Sequence, residues 1–199
     1  LFDSFEHRVA AQAHCSVLRL KTPRDLVHPR FEFTGLDHAN QFELKPALEK
    51  SAVLVNSSSS TKEELFREMA AQFNEESVAP TDAILAALWQ RERFRSTALT
   101  GNVALMAATS PVIQRTWIGV VTCSNPVDFR GPGQRSVDCF FSVVAHPRDR
   151  RHQLWLLTQL ARMTLRSDFL PEVRDSDSPA ELRKTLVRFA GNGLLAFYS

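Results

Sequence analysis

The hydrophobic pattern of this chain changes period twice along its length, and this change restricts the fold to a few architectures. Before Thr97, apolar residues recur every three or four positions, as Leu65 and Met69 do, which predicts amphipathic helices. Between residues 103 and 144 the apolar residues form nearly continuous, often β-branched runs, which predict strands buried on both faces. From Asp149 onward the helical period returns. This order predicts an α/β protein, a three-layer α/β/α sandwich with a mixed central sheet.

Local signals give the expected boundaries of these elements. The pattern Ser60-x-x-Glu63 is a capping box and predicts the start of a helix, because each side chain can bond a backbone N–H that the first turn leaves free. Pro80 suits the first turn of the next helix, which is predicted to end near Phe94. The expected strands cover residues 52–55, 103–106, 117–122 and 137–144, with turns at Asn125-Pro126 and Gly131-Pro132-Gly133 and later helices beginning near Asp149, Asp168 and Ser178.

The first 43 residues differ from the rest. A short amphipathic helix near 5–13 leads into an extended segment at 15–20, a pair that is similar to the last helix and strand of a universal-stress-protein domain. The same pair is equally typical of a helix and an edge strand added to the domain that follows. We therefore predict the end of an upstream domain at 1–22, a linker at 23–43 and the α/β domain at 44–199. The first residue is Leu rather than Met, which indicates a piece of a longer protein.

Composition argues against several classes of protein. Lys and Arg number 24 and Asp and Glu 22, a balance that gives no reason to expect a nucleic-acid partner. No apolar run reaches the roughly 18–20 residues that cross a bilayer, and no signal peptide is present, so we expect a cytoplasmic location. The three Cys and six His lack metal-ligand spacing, and no P-loop, G-x-S-x-G or H-E-x-x-H motif occurs. We therefore expect no metal, no cofactor and no unrelated hydrolase or transferase chemistry.

Several segments resemble a known family in their order and spacing. They are Thr61-Lys-Glu-Glu-Leu65, Arg91-Glu-x-x-x-Ser-Thr97, Gly101-Asn-Val-Ala-Leu-Met-Ala107, and residues 137–144, 154–161 and 175–182. Together they resemble the EIIA domain of the bacterial sugar phosphotransferase system, of the mannitol/fructose/nitrogen type. The resemblance spans about residues 44–190 and implies the EIIA(mannitol/fructose)-like form of the α/β/α fold.

The resemblance also implies a pocket that lacks its acceptor group. Members of this family carry a phosphoryl group on one histidine, supported by a second histidine and an arginine. Matched position by position, the acceptor is Ala107 here, the second histidine is Gln153, and the arginine is retained as Arg91. Alanine has no lone pair, and glutamine can donate a hydrogen bond to phosphate but cannot ionise. We expect these residues and Thr97 to converge in a degenerate pocket. The alternatives are a structural role of Arg91, as an ion pair near Glu92 that caps or cross-links, and a role of Thr97 in sheet packing.

These features predict a non-catalytic regulatory or sensory domain rather than an enzyme. The resemblance suggests the cytoplasmic C-terminal part of a larger bacterial membrane transporter, with the transporter itself or another protein as partner, a homodimer as a further arrangement, and a small anionic ligand at Arg91. The alternative is an active phosphocarrier that uses another histidine, such as His146 or His152. The basic stretch 146–152 is predicted as a solvated turn before a helix, with a phosphate-binding patch as the alternative.

Overall fold

The computed structural model describes residues 44–99, 101–129 and 136–191. The predicted N-terminal helix, strand and linker, the universal-stress-protein resemblance and the turn at 131–133 lie outside these residues. The described elements occur in the order α1 (Leu44–Glu49), β1 (Ala52–Ser57), α2 (Lys62–Glu75), α3 (Thr81–Phe94), β2 (Val103–Thr109), β3 (Trp117–Asp128), β4 (Ser136–Ala145), a 3-10 turn (Pro147–Asp149), α4 (Arg150–Thr164), α5 (Phe169–Arg174) and α6 (Pro179–Gly191).

The four strands form one mixed sheet, as predicted. The strand order is β1-β3-β4-β2, with β1 parallel to β3, β2 parallel to β4, and β3 antiparallel to β4. Since β2 and β4 run in the same direction, their carboxyl ends lie side by side, where Thr109 pairs with Ala145. This end of the sheet carries the predicted pocket position at residue 107.

Helices cover both faces of the sheet, which confirms the three-layer arrangement. Helices α2 and α3 pack with one set of buried side chains, to which β2 contributes Ala104 and Met106. Helices α1, α4, α5 and α6 pack with the other set, to which β2 contributes Val103 and Leu105. The alternation along β2 follows from the two-residue period of a strand. No helix among the described residues combines the length and the apolarity that crossing a membrane requires.

Helix α2 begins one residue later than the predicted capping box. Thr61 is the N-cap: its hydroxyl oxygen accepts from the Glu64 N–H at 3.2 Å, and the Glu64 carboxylate accepts from the Thr61 N–H at 3.1 Å. The backbone N–H and hydroxyl of Ser60 also bond this carboxylate, and they hold the pKa of Glu64 below its usual value. Ser60-x-x-Glu63 and Thr61-x-x-Glu64 both fit the capping pattern. The structure contains the second.

Three further details differ from the sequence predictions. Asn125 and Pro126 do not form a turn but lie within β3, where the register with β4 shifts, and a bulge tolerates a proline because it needs no ladder donor there. Pro80 is the N-cap of α3 rather than its first helical residue. Helix α1 was not predicted, since its six residues are too few to show a period.

Candidate functional site

Gln153 is hydrogen-bonded to the carboxyl ends of both parallel strands. It lies in the first turn of α4, is 2% exposed, and donates from Nε2 to the Ala108 carbonyl at 2.7 Å and to the Val143 carbonyl at 2.8 Å. Because both partners are carbonyl oxygens, the amide nitrogen must face them, and both of its hydrogens are used. In this structure Gln153 therefore has no N–H left to donate to a phosphate group, and its remaining polar atom, Oε1, is only an acceptor.

Ala107 directly precedes Ala108, whose carbonyl accepts a hydrogen bond from Gln153. It pairs with Val143 of β4 and is half-buried. Since side chains alternate along a strand, the Ala107 methyl group projects to the same face as Leu105, which is the face covered by α4. Ala107 and Gln153 thus belong to the same side of the sheet and the same end of β2, and neither supplies a nucleophile there.

Thr97 lies in the segment that follows α3 and is bonded to β2, whereas Arg91 lies in the last turn of α3 itself. The Thr97 carbonyl accepts from the Leu105 N–H at 3.2 Å, which ties this segment alongside β2. Arg91 donates from Nη1 to the Arg95 carbonyl at 2.8 Å, so it caps the end of its own helix. Gln153 and Thr97 are thus hydrogen-bonded directly to β2. Arg91 is bonded to Arg95, which lies between α3 and Thr97. The convergence of all four residues in one pocket stays a prediction.

A buried ion pair holds the end of α3 and the segment after it. Glu92, 6% exposed, accepts from Lys62 Nζ at 2.7 Å, and its second oxygen accepts from the Thr97 N–H at 3.0 Å and from the Thr97 hydroxyl at 2.8 Å. Lys62 Nζ also donates to the Phe129 carbonyl at 2.9 Å and lies 4.7 Å from the centre of the Phe129 ring. The suggested ion pair between Arg91 and Glu92 is corrected accordingly, because the partner of Glu92 is Lys62. The Thr97 hydroxyl donates its hydrogen to Glu92 and so has a structural role.

The spacing along α3 contains the signal that would have identified Glu92. It follows Ile84 and Leu88 at intervals of four, so it lies on the stripe of the helix that faces the core. A carboxylate on an apolar stripe needs a buried cation as partner, since burial of an unpaired charge is very costly. Lys62, which begins α2 on the same face of the sheet, supplies it.

The basic stretch 146–152 forms the approach to α4. It contains the 3-10 turn Pro147–Asp149, and Arg148, Arg150 and Arg151 are exposed, which agrees with a solvated turn before a helix. His146 Nδ1 accepts from the Arg148 N–H at 3.0 Å, so only its other ring nitrogen remains for chemistry. Burial lowers the pKa of His152 below its usual value, which favours a neutral imidazole at pH 7.

The described cysteines are poor nucleophiles. Burial, together with the negative charges of Glu68 and Asp138, raises the pKa of Cys123 to about 12, and burial likewise raises that of Cys139. Both thiols therefore stay protonated at neutral pH. Within residues 44–99, 101–129 and 136–191, no group of three or more His, Cys, Asp or Glu side chains is placed to hold a metal ion.

Comparison with known proteins places this geometry in a family. The model of the phosphoenolpyruvate-dependent sugar phosphotransferase system EIIA 2 family matches residues 47–188. The nitrogen regulatory protein IIA-Ntr from Neisseria meningitidis superposes with a TM-score of 0.65 at 21% identity, over 72% of this chain and 98% of that one. IIA mannitol from Escherichia coli superposes with a TM-score of 0.58 at 16% identity, over 68% and 95%. A comparison with curated protein sequences gives no significant match.

The two kinds of comparison agree on the fold and on the part of the chain involved. At these identities the structural likeness shows a common fold, while the family match covers most of the sequence from α1 to α6. The ordered segments, the mixed four-stranded sheet and the family match together show that the chain belongs to the EIIA type 2 family of the sugar phosphotransferase system.

Proposed function

We propose that this chain is a non-catalytic EIIA-like domain that regulates by binding, as the cytoplasmic part of a larger bacterial membrane transporter. The observation that supports this proposal is the state of the predicted pocket. Ala107 occupies the position matched to the phosphoryl acceptor, and Gln153, matched to the second histidine, has both N–H donors bonded to the backbone of β2 and β4. The side chains at these two positions therefore have structural roles and no reactive group.

Phosphoryl transfer requires a nucleophile in line with the donor and positive charge around the transferred group. Of the three positions matched to the charged or ionisable groups of the family pocket, only residue 91 still carries such a charge. An arginine can bind an anion but cannot accept a phosphoryl group from a carrier protein. The Gln153 oxygen is an acceptor, so it repels phosphate rather than supporting it. A small anionic ligand at Arg91 is compatible with this chemistry, whereas turnover of a phosphohistidine at residue 107 is not.

We expect the wild-type chain to remain unlabelled when incubated with a phosphoenolpyruvate-driven phosphotransferase system and labelled phosphoenolpyruvate. The double variant A107H Q153H is expected to gain acid-labile label, because it restores a nucleophile and its neighbour at the matched positions. Mass spectrometry of the labelled protein identifies the modified residue, and circular dichroism confirms that the variant is folded.

The variants H146A and H152A are the controls for the alternative function. Label on the wild-type chain that disappears in either variant would contradict the regulatory proposal and support a phosphocarrier with a non-standard histidine. A folded A107H Q153H protein that stays unlabelled would instead contradict the assignment of residue 107 to the acceptor position.

A domain that regulates by binding needs a protein partner. One solved structure with this fold, from Escherichia coli, is a complex of enzyme IIA mannitol with phosphorylated enzyme IIB mannitol, so that protein uses the fold to bind another protein. For this chain we propose that the partner is the membrane domain of its own transporter.

The transporter assignment predicts where the protein is found in the cell. An antibody raised against residues 44–191 is expected to detect a species much larger than 22.4 kDa in the membrane fraction, retained after a carbonate wash. A free species of about this mass in the soluble fraction, with none at the membrane, would overturn this part of the proposal while leaving the phosphoryl-transfer result unaffected.

A further inference from the structure

The outward side of α3 carries an apolar stripe that the described part of the chain covers only in part. Ala86 is exposed, whereas Leu85 and Trp89 are half-buried and pack against the core, with the Trp89 ring centre 5.0 Å from that of Phe66. Together with flanking polar residues of the same helix, these three side chains line an open groove of about 710 Å³. Phe94, at the end of the same helix, is 89% exposed. A large exposed apolar side chain beside an apolar groove is typical of a surface that binds another protein.

The stripe has opposite charges at its two ends. Asp82 lies at the start of α3 and Arg93 near its end, both exposed and both lining the groove. They are eleven positions apart, which is close to three helical turns, so they share one face and lie about 16 Å from each other. A helix with an acid at one end of its apolar stripe and a base at the other complements a copy of itself running in the opposite direction.

The sizes of the side chains on this face are also complementary when two copies of α3 run antiparallel. A two-fold axis midway between residues 82 and 93 places Asp82 opposite Arg93 of the partner subunit. It also places Ala86, the small residue of the stripe, opposite the partner's Trp89, which is the largest. A small residue that faces a large one is how the ridges of one helix fit the grooves of another. The antiparallel arrangement also brings helix ends of opposite partial charge together.

We propose that α3 forms an isologous, antiparallel contact with α3 of a second copy of this chain, closed by two Asp82–Arg93 ion pairs around an Ala86–Trp89 core. The inference rests on the α3 surface alone and does not depend on the proposed regulatory function. A contact made by one helix from each copy buries less area than a permanent dimer requires, so the association is weak and depends on concentration.

Charge reversal in the full 199-residue chain tests the proposed pairing. D82R and R93D, each alone, turn both ion pairs into like-charge contacts and are expected to weaken dimerisation about tenfold, measured by sedimentation equilibrium over a concentration series. An equimolar mixture of D82R and R93D chains restores both pairs as a heterodimer, and so does the double variant D82R R93D. Failure of the mixture and of the double variant to recover wild-type association would overturn the proposal.

A steric variant tests the core of the contact. A86R places a long charged side chain opposite the partner's Trp89 and is expected to abolish the dimer, while A180R, the same change at an exposed position of α6, leaves it intact. A wild-type chain that is monomeric at every concentration would overturn the proposal, and that is the result expected if residues 1–43 of the same chain cover α3. A dimer that survives in A86R would also overturn it.

Discussion

Replacing Glu92 by alanine is expected to destabilise the domain by about 3–5 kcal/mol. The change leaves the Lys62 ammonium buried without its carboxylate, and it removes the acceptor of the Thr97 N–H and hydroxyl. Removing one partner of such a pair costs far more than the pair itself contributes, because the remaining Lys62 charge, with 16% of its side chain exposed, is only partly hydrated. Urea unfolding followed by circular dichroism measures the effect.

The exposed pair on the same face of the molecule provides the control. Glu63 and Arg67 lie on α2, with their charged atoms 2.7 Å apart and more than half of each side chain exposed. E63A is expected to cost less than about 0.5 kcal/mol, since water replaces the lost partner. Equal effects for E92A and E63A would show that the Lys62–Glu92 pair is hydrated in solution and does not anchor the end of α3.

Replacing Gln153 by leucine is expected to cost about 2–4 kcal/mol, because it leaves the Ala108 and Val143 carbonyls without their buried donor. Leucine fills a similar volume, so the loss reports the two hydrogen bonds rather than a cavity. Thermal and urea unfolding of Q153L, compared with the wild-type chain, measure it.

A second glutamine on the same helix gives the matched control. Gln159 is only partly buried, and Q159L is expected to change the free energy of unfolding by less than about 0.5 kcal/mol. If Q153L were as stable as Q159L, Gln153 would not be a structural bond between α4 and the two strand ends, and its amide would be available to a ligand after all.

The two sites have in common that polar side chains bond other parts of the protein. Thr97 gives its hydroxyl to Glu92, and Gln153 gives its amide hydrogens to two backbone carbonyls. Polar groups at the predicted pocket are thereby used to hold α3 and α4 against the sheet. Such groups stabilise the scaffold, and they are not free to stabilise a transition state.

The sequence was sufficient to predict the layers and most element boundaries. The helical period of Leu65 and Met69 and the apolar runs after residue 103 predicted the α/β/α order, and the structure confirms it. Ser178 and Pro179 correctly marked the start of α6, where the Ser178 hydroxyl accepts from the Glu181 N–H. These features are local, since each is set by residues within three or four positions of one another.

Only the tertiary structure decided the partners of the polar side chains. Glu92 finds Lys62 across 30 positions, and Gln153 reaches Ala108 across 45. The capping box that forms at α2 and the place of Pro126 inside β3 are likewise seen only in the folded structure. The reason is physical: a buried hydrogen bond or ion pair is selected by the exclusion of water, and which groups lose their water is known only once the layers have packed.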